Sequence, residues 1–148
     1  MRVPGPREVA LFVHALRLSA AAQGVRTGPL PAAAARLAGM GRLPRGVAPE
    51  DAWRAAVRAG MRLARWRGAL DSCLTRSLVV AALLCDRDGV AIHVGFRSGQ
   101  KAILDAGTAL HEGHAWVSVD GAAVTPETGG DAHHGPYVEV LRIPVRRR

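Results

Sequence analysis

The sequence predicts an α+β fold in which N-terminal helices are followed by an antiparallel sheet. Three observations predict it. Apolar residues recur at helical spacing through the first half of the chain; a strict alternation begins after Asp88-Gly89; and Asp120-Gly121 stands between two apolar runs as a hairpin turn. At 148 residues, 49% of them hydrophobic, the chain has apolar surface enough for one core. It is read as a single domain over 1–148, with a helical part over 1–48 and the functional core over 49–148. There is no internal repeat.

From Pro6 to about Ala22, Val9, Phe12, Val13, Leu16 and Ala20 recur at helical spacing and predict an amphipathic helix with those residues inward. Met1 to Gly24 superficially resembles a secretory signal, with Arg2 early and a small-residue run at Ala20 to Ala22. Glu8, His14 and Arg17 interrupt its apolar stretch, so a helix of the mature protein is expected. Gly28-Pro29-Leu30-Pro31 breaks that helix, Ala32 to Ala38 forms a short one, and Gly39 to Pro49 is a loop rich in Gly and Pro. A third helix starts near Pro49, with Glu50 and Asp51 at its positive dipole end. It presents Trp53, Val57, Met61 and Ala64 on one face and stops at Gly68. After the cap candidates Asp71 and Ser72, the run from Cys73 to Cys85 is apolar nearly all round, which suits a helix at the centre of the domain.

Strands follow. Val90, Ile92, Val94 and Phe96 alternate with Ala91, His93, Gly95 and Arg97. Ser98-Gly99 turns the chain, and Gln100 to Leu104 is expected to pair back. His114 to Val119 is a strand closed by Asp120-Gly121, Ala122 to Thr125 returns, and Tyr137 to Ile143 is the last strand before the basic end Arg146-Arg147-Arg148.

The formal charge of +8 invites a nucleic-acid reading. Lys101 is the only lysine, however, and aromatics make up 4%, too few for base-stacking platforms. The excess is better read as arginine-biased composition, and neither nucleic acid nor membrane is an expected partner. No run approaches the roughly 20 apolar residues of a membrane-spanning helix. Two cysteines, Cys73 and Cys85, cannot staple a domain of this size. Their thiols are expected to be free, in a reducing, cytoplasmic setting.

Cys73 at a helix N-terminus would have its thiolate stabilised by unpaired backbone N–H groups and the dipole, and those N–H groups could also hold an oxyanion. A free cysteine is also often a small buried hydrophobe. If Asp120-Gly121 is a two-residue turn, paired positions sum to 241, so that His114 faces Glu127, with Cβ atoms about 5 Å apart. A carboxylate there would orient an imidazole serving as base to the thiol. Pro126 cannot donate to the ladder, and a slip of one residue would bring Thr125, Pro126 or Thr128 opposite instead. Asp120 is accounted for by the turn itself.

Arg76, one turn after Cys73, either raises the local potential or pairs with an acid such as Asp71. Trp116 shares the face of His114 and either walls the site or packs in the core. Ser77 reads as a packing residue and His93 as a satisfied sheet residue. The pair His133-His134 falls in a Gly-rich loop and is read as exposed. Asp105, His111, Glu112, His114, His133 and His134 lack metal-ligand spacing, so no metal or other cofactor is expected. The cluster Arg65-Trp66-Arg67 is either solvated surface or a contact for an acidic peptide or partner.

The stretches Cys73-Leu-Thr-Arg-Ser-Leu, Gly89-Val-Ala-Ile-His-Val-Gly-Phe-Arg97 and Gly113-His-Ala-Trp-Val-Ser-Val-Asp-Gly121 resemble the transglutaminase-like leader peptidases of lasso-peptide biosynthesis. The likeness is to the stand-alone peptidase half of the split maturation protein, and it covers about Trp53 to Glu127. It implies a transglutaminase-like, papain-like cysteine protease core over 49–148, with Cys73 as nucleophile, His114 as base and Glu127 as the acid nearest the family's third position. It implies no cofactor. The substrate it implies is a ribosomally made precursor peptide, presented by a small leader-recognition protein and passed after cleavage to a separate ATP-dependent cyclase, a further candidate partner. Amine acyl transfer by the same residues and a catalytically silent peptide-binding domain are the alternatives.

Overall fold

The computed structural model describes residues 4–25, 28–40, 44–69, 71–97, 113–124 and 137–146. Helices α1 (Pro6–Val25), α2 (Leu30–Ala38), α3 (Pro49–Arg67) and α4 (Cys73–Leu83) come first. Strands β1 (Val90–Arg97), β2 (Gly113–Val119), β3 (Ala122–Ala123) and β4 (Tyr137–Pro144) follow. The strands form one antiparallel sheet in the order β3-β2-β1-β4. The fold is α+β, helices before sheet.

α4 is the hub. It contacts α1, α2 and α3 on one side and β1 and β2 on the other, and every residue from Ser77 to Leu83 is buried. The sheet face turned to it carries Val90, Ile92, Val117 and Ile143, which join the helical core in one apolar cluster. Of the alternating set in β1, Val90 and Ile92 thus face the core. The other face is buried as well at Ala91, His93, Trp116 and Ser118.

Two expected helix faces are corrected. In α1 the buried residues are Leu11, Ala15, Leu18, Ser19 and Ala22, while Val9 and Val13 are 47% and 41% exposed and Ala20 faces solvent. In α3 the buried face is Ala52, Ala55, Ala56, Ala59, Gly60 and Leu63. There Met61 is 46% exposed, and Trp53 and Val57 are only half-buried. α1 packs on α3, and small residues let helix axes approach closely, so the face turned inward is the Ala and Gly stripe in α3 and, in α1, the one on which Ala15, Ser19 and Ala22 accompany Leu11 and Leu18.

The hairpin turn forms as its residues dictate. Asp120 and Gly121 have φ of 51° and 82°, both left-handed, as a two-residue turn of the I′ type requires. Ser118 pairs with Ala123 and Val119 with Ala122, the register expected from a sum of 241. The proposed return arm Gln100 to Leu104 lies outside the described residues. No described helix is long and apolar enough to cross a membrane.

Candidate active site

Cys73 is the first residue of α4. The helix is capped by Ser72, whose Oγ accepts the Thr75 N–H at 3.2 Å. The approach to it is clamped by Asp71, which takes the Arg76 guanidinium on both oxygens, Nε at 2.8 Å and Nη2 at 2.6 Å. Gly60 makes room for this carboxylate: a Cβ there would stand 2.4 Å from Asp71 Oδ1. Of the two accounts of Arg76, the structure shows the ion pair with Asp71. It places the fork one helical turn below the cysteine, with the Asp71 carboxylate against Gly60 of α3.

The other half of the site comes from β2. Since β3 pairs only with Ser118 and Val119, the earlier part of β2 offers a free edge among the described strands. The N-terminus of α4 meets β2 there. The His114 side chain is hydrogen-bonded to the Cys73 sulfur, and the Ala115 backbone N–H donates to the same atom. These contacts hold the thiol below its ordinary range. The hydrogen bond with His114 contributes most and burial opposes it, while the Ala115 N–H, the charge of the imidazole and the Leu74 N–H add to the lowering. A half-buried thiol with a depressed pKa, an imidazole in hydrogen-bond reach and amide donors at its side can form a nucleophilic thiolate and shuttle a proton. Cys85, by contrast, is buried behind the end of α4, with its sulfur 3.8 Å from the Ala38 carbonyl oxygen.

Trp116 is 6% exposed and stacks on His114, ring centroids 6.0 Å apart and planes 19° apart. On its other side it stacks on His93 at 5.3 Å and 7°. Its burial gives it a packing role against both imidazoles. His93 is indeed satisfied, with Nδ1 2.5 Å from Glu139 Oε2 and Nε2 2.7 Å from Ser118 Oγ. Glu139 carries no signal of its own in the sequence. Only the β-bulge between Val94 and Gly95 brings it beside His93.

Glu127 lies outside the described residues, as do Asp105, His111, Glu112, His133 and His134. Val124 N still bonds Val117 O at 2.9 Å. Arg65, Trp66 and Arg67 are exposed at the end of α3, and Arg62 lies over the Trp66 ring at 4.0 Å. A cavity of about 170 Å³ between α1 and α3, lined among others by Arg7, Leu11, Phe12, Asp51 and Arg58, belongs elsewhere. Arg7 donates to the Gly46 carbonyl, and the Gly46 N–H donates to Asp86, just past the far end of α4.

The arrangement of a cysteine at a central helix N-terminus and a histidine on the adjoining antiparallel strand agrees with the comparison to known families, where the model described as Transglutaminase-like superfamily matches residues 8–141. The chain belongs to the transglutaminase-like superfamily. The match begins inside α1, so the N-terminal helices of this transglutaminase-like domain lie within it as well as the stretch from Trp53 onward. The superfamily generally includes peptidases and transferases that work through cysteine, histidine and an acid. Among curated proteins and among solved structures no match was found.

Proposed function

We propose that this transglutaminase-like protein is a cysteine peptidase that removes the leader from a ribosomally made precursor of the lasso-peptide type. The observation that carries the chemistry is the hydrogen bond between His114 and the Cys73 sulfur, with the thiol held below its ordinary range. The three motif stretches that resemble lasso leader peptidases support the choice of substrate.

In this reading the Cys73 thiolate attacks the carbonyl carbon of the bond joining leader to core, and the developing oxyanion forms at the first turn of α4, where backbone N–H groups and the helix dipole favour negative charge. The His114 imidazolium gives its proton to the leaving amine, and the C–N bond breaks to leave a thioester. Water, deprotonated by His114, then attacks the thioester and restores the thiol, releasing the leader with a free carboxylate. Glu127 is proposed as the acid that orients His114. The small leader-recognition protein is proposed to present the precursor, and the cyclase to take up the freed core.

Mass spectrometry of a precursor incubated with the protein and its leader-binding partner tests this. Leader and core, whose summed mass exceeds that of the precursor by one water, are expected with the wild type and with neither Cys73→Ala nor His114→Ala. An amine adduct in place of the water-derived carboxylate would instead indicate acyl transfer. An intact precursor that still binds would indicate a silent binding domain.

A further inference from the structure

Buried His93 has both ring nitrogens engaged, and the chemistry above makes no use of it. Its partners come from two strands that flank its own. Glu139 on β4 accepts from Nδ1–H, and Ser118 on β2 bonds Nε2. An ionised carboxylate can only accept, so Nδ1 carries a proton. An imidazole pinned at both nitrogens cannot turn about its Cβ–Cγ bond without losing one of them, whereas that torsion is otherwise broad.

The orientation is passed on. Trp116 lies 7° from the plane of His93 and His114 lies 19° from the plane of Trp116, with centroid separations inside the usual range for stacked rings. All of these side chains stand on one face of the sheet: His93 pairs with Trp116, and Gly95 pairs with both His114 and Glu139. Glu139 reaches that face only through the bulge. Between Ala91 and Val94 the β1–β4 partners run from Pro144 to Leu141, and that register would set Val140 opposite Gly95 and turn Glu139 to the other face. The bulge removes Val140 from pairing and sets Glu139 opposite Gly95. Gly95 in turn places no side chain between Glu139 and His114.

We propose that His93, clamped by Glu139 and Ser118, is a positioning residue for His114 and acts through the Trp116 ring. The inference rests on the reading of Cys73 and His114 as the reactive pair. Cysteine chemistry needs the imidazole held to within about 0.5 Å and 10–20° of its productive geometry. On β2 the side chain of His114 gets that constraint from the stack.

The test is the pH dependence of Cys73 alkylation by iodoacetamide, with the label located by peptide mass and buried Cys85 as internal control. Circular-dichroism melting shows which variants are folded. The wild type is expected to alkylate with a midpoint below that of an ordinary thiol, and His114→Ala to raise it. Folded His93→Phe, which keeps a ring against Trp116 but loses both hydrogen bonds, and Glu139→Ala, which removes the acceptor for Nδ1–H, are expected to raise it too. The rate near neutral pH then falls about three- to tenfold, given about tenfold per pKa unit, with the high-pH plateau unchanged. On the precursor, kcat falls with KM unchanged. If His93→Phe does not fold, Glu139→Ala, at a carboxylate side chain 44% exposed, gives the answer alone. Variant curves that superimpose on the wild type while His114→Ala shifts overturn the positioning role and leave the peptidase reading standing. A wild-type curve with an ordinary midpoint, indifferent to His114→Ala, overturns both.

Discussion

Gly60→Ala should destabilise the protein although it places a better helix former inside α3. In an open helix the exchange stabilises by about 1 kcal/mol. Here the new Cβ would stand 2.4 Å from Asp71 Oδ1, 2.9 Å from Cγ and 3.3 Å from Oδ2, so the carboxylate must retreat by about 1 Å to restore ordinary contact. That displacement takes at least one arm of the Arg76 fork, now at 2.8 and 2.6 Å, out of hydrogen-bond range. A hydrogen bond to a charged group contributes about 1.5–3 kcal/mol, and the side chains are only 28% and 12% exposed, so a loss of about 2–3 kcal/mol is expected. After the helix gain the net is about 1–2 kcal/mol, or a fall in Tm of about 3–6 °C for a domain of this size. Thermal unfolding followed by circular dichroism reads it, and the same exchange in an Asp71→Ala background, where the clash is absent, should be neutral or stabilising. A Gly60→Ala protein that melts at or above the wild-type temperature would show that Asp71 does not depend on the space Gly60 leaves.

Cys73, whose pKa is lowered on folding chiefly by His114, confers stability that is fully present above the thiol pKa of the unfolded chain and is lost as pH falls through the folded-state value. Urea unfolding of wild type against Cys73→Ser is therefore expected to diverge on going from pH 6 to pH 9 in favour of the wild type, and a constant difference would contradict the assignment. Gly89→Ala should be among the most damaging single substitutions. It combines a φ of 69° with a Cβ 2.0 Å from Asp120 Oδ1 at the hairpin turn, and the loss expected is about 2 kcal/mol or more by urea unfolding. Ser72→Ala removes the acceptor for the Thr75 N–H and is expected to cost about 1 kcal/mol by the same measure, with slower alkylation of the neighbouring Cys73.

What could be read from the sequence was whatever local chemistry decides. Asp120-Gly121 dictates a tight turn because both positions must take positive φ, and the register of the hairpin follows from it. The run from Leu78 to Leu83 is apolar all round, so its place at the centre needs no partner to be known. The faces of α1 and α3 were not legible, because both helices carry apolar residues on more than one side. Packing against a neighbouring helix, a tertiary property, made the choice, of an Ala and Gly stripe in α3 and of Leu11 and Leu18 with small residues beside them in α1. The same holds at the site. The motifs pick out Cys73 and His114, and the fold brings them together because one begins the central helix and the other stands on the strand edge that helix meets. Glu139 was invisible: a single unpaired residue in β4 moves it from one sheet face to the other, and nothing in Val-Glu-Val-Leu marks where a bulge falls.

The sulfur of Cys73 is thus supported from two sides that share no partner. From the helical layer, Gly60, Asp71 and Arg76 fix the start of α4. From the sheet, His93 and Glu139 fix the ring stack that ends at His114. If these supports are independent, the effects of Gly60→Ala and Glu139→Ala on the Cys73 alkylation rate near neutral pH should multiply, since perturbations without common contacts add in free energy to within about 0.5 kcal/mol. A double variant whose rate departs from that product by more than about threefold would mean that both act through one motion, the docking of α4 on the edge of β2. The imidazole and the Ala115 N–H both belong to β2. Any loosening of that seam removes the two together, so thiol reactivity then reports how well the helical layer sits on the sheet.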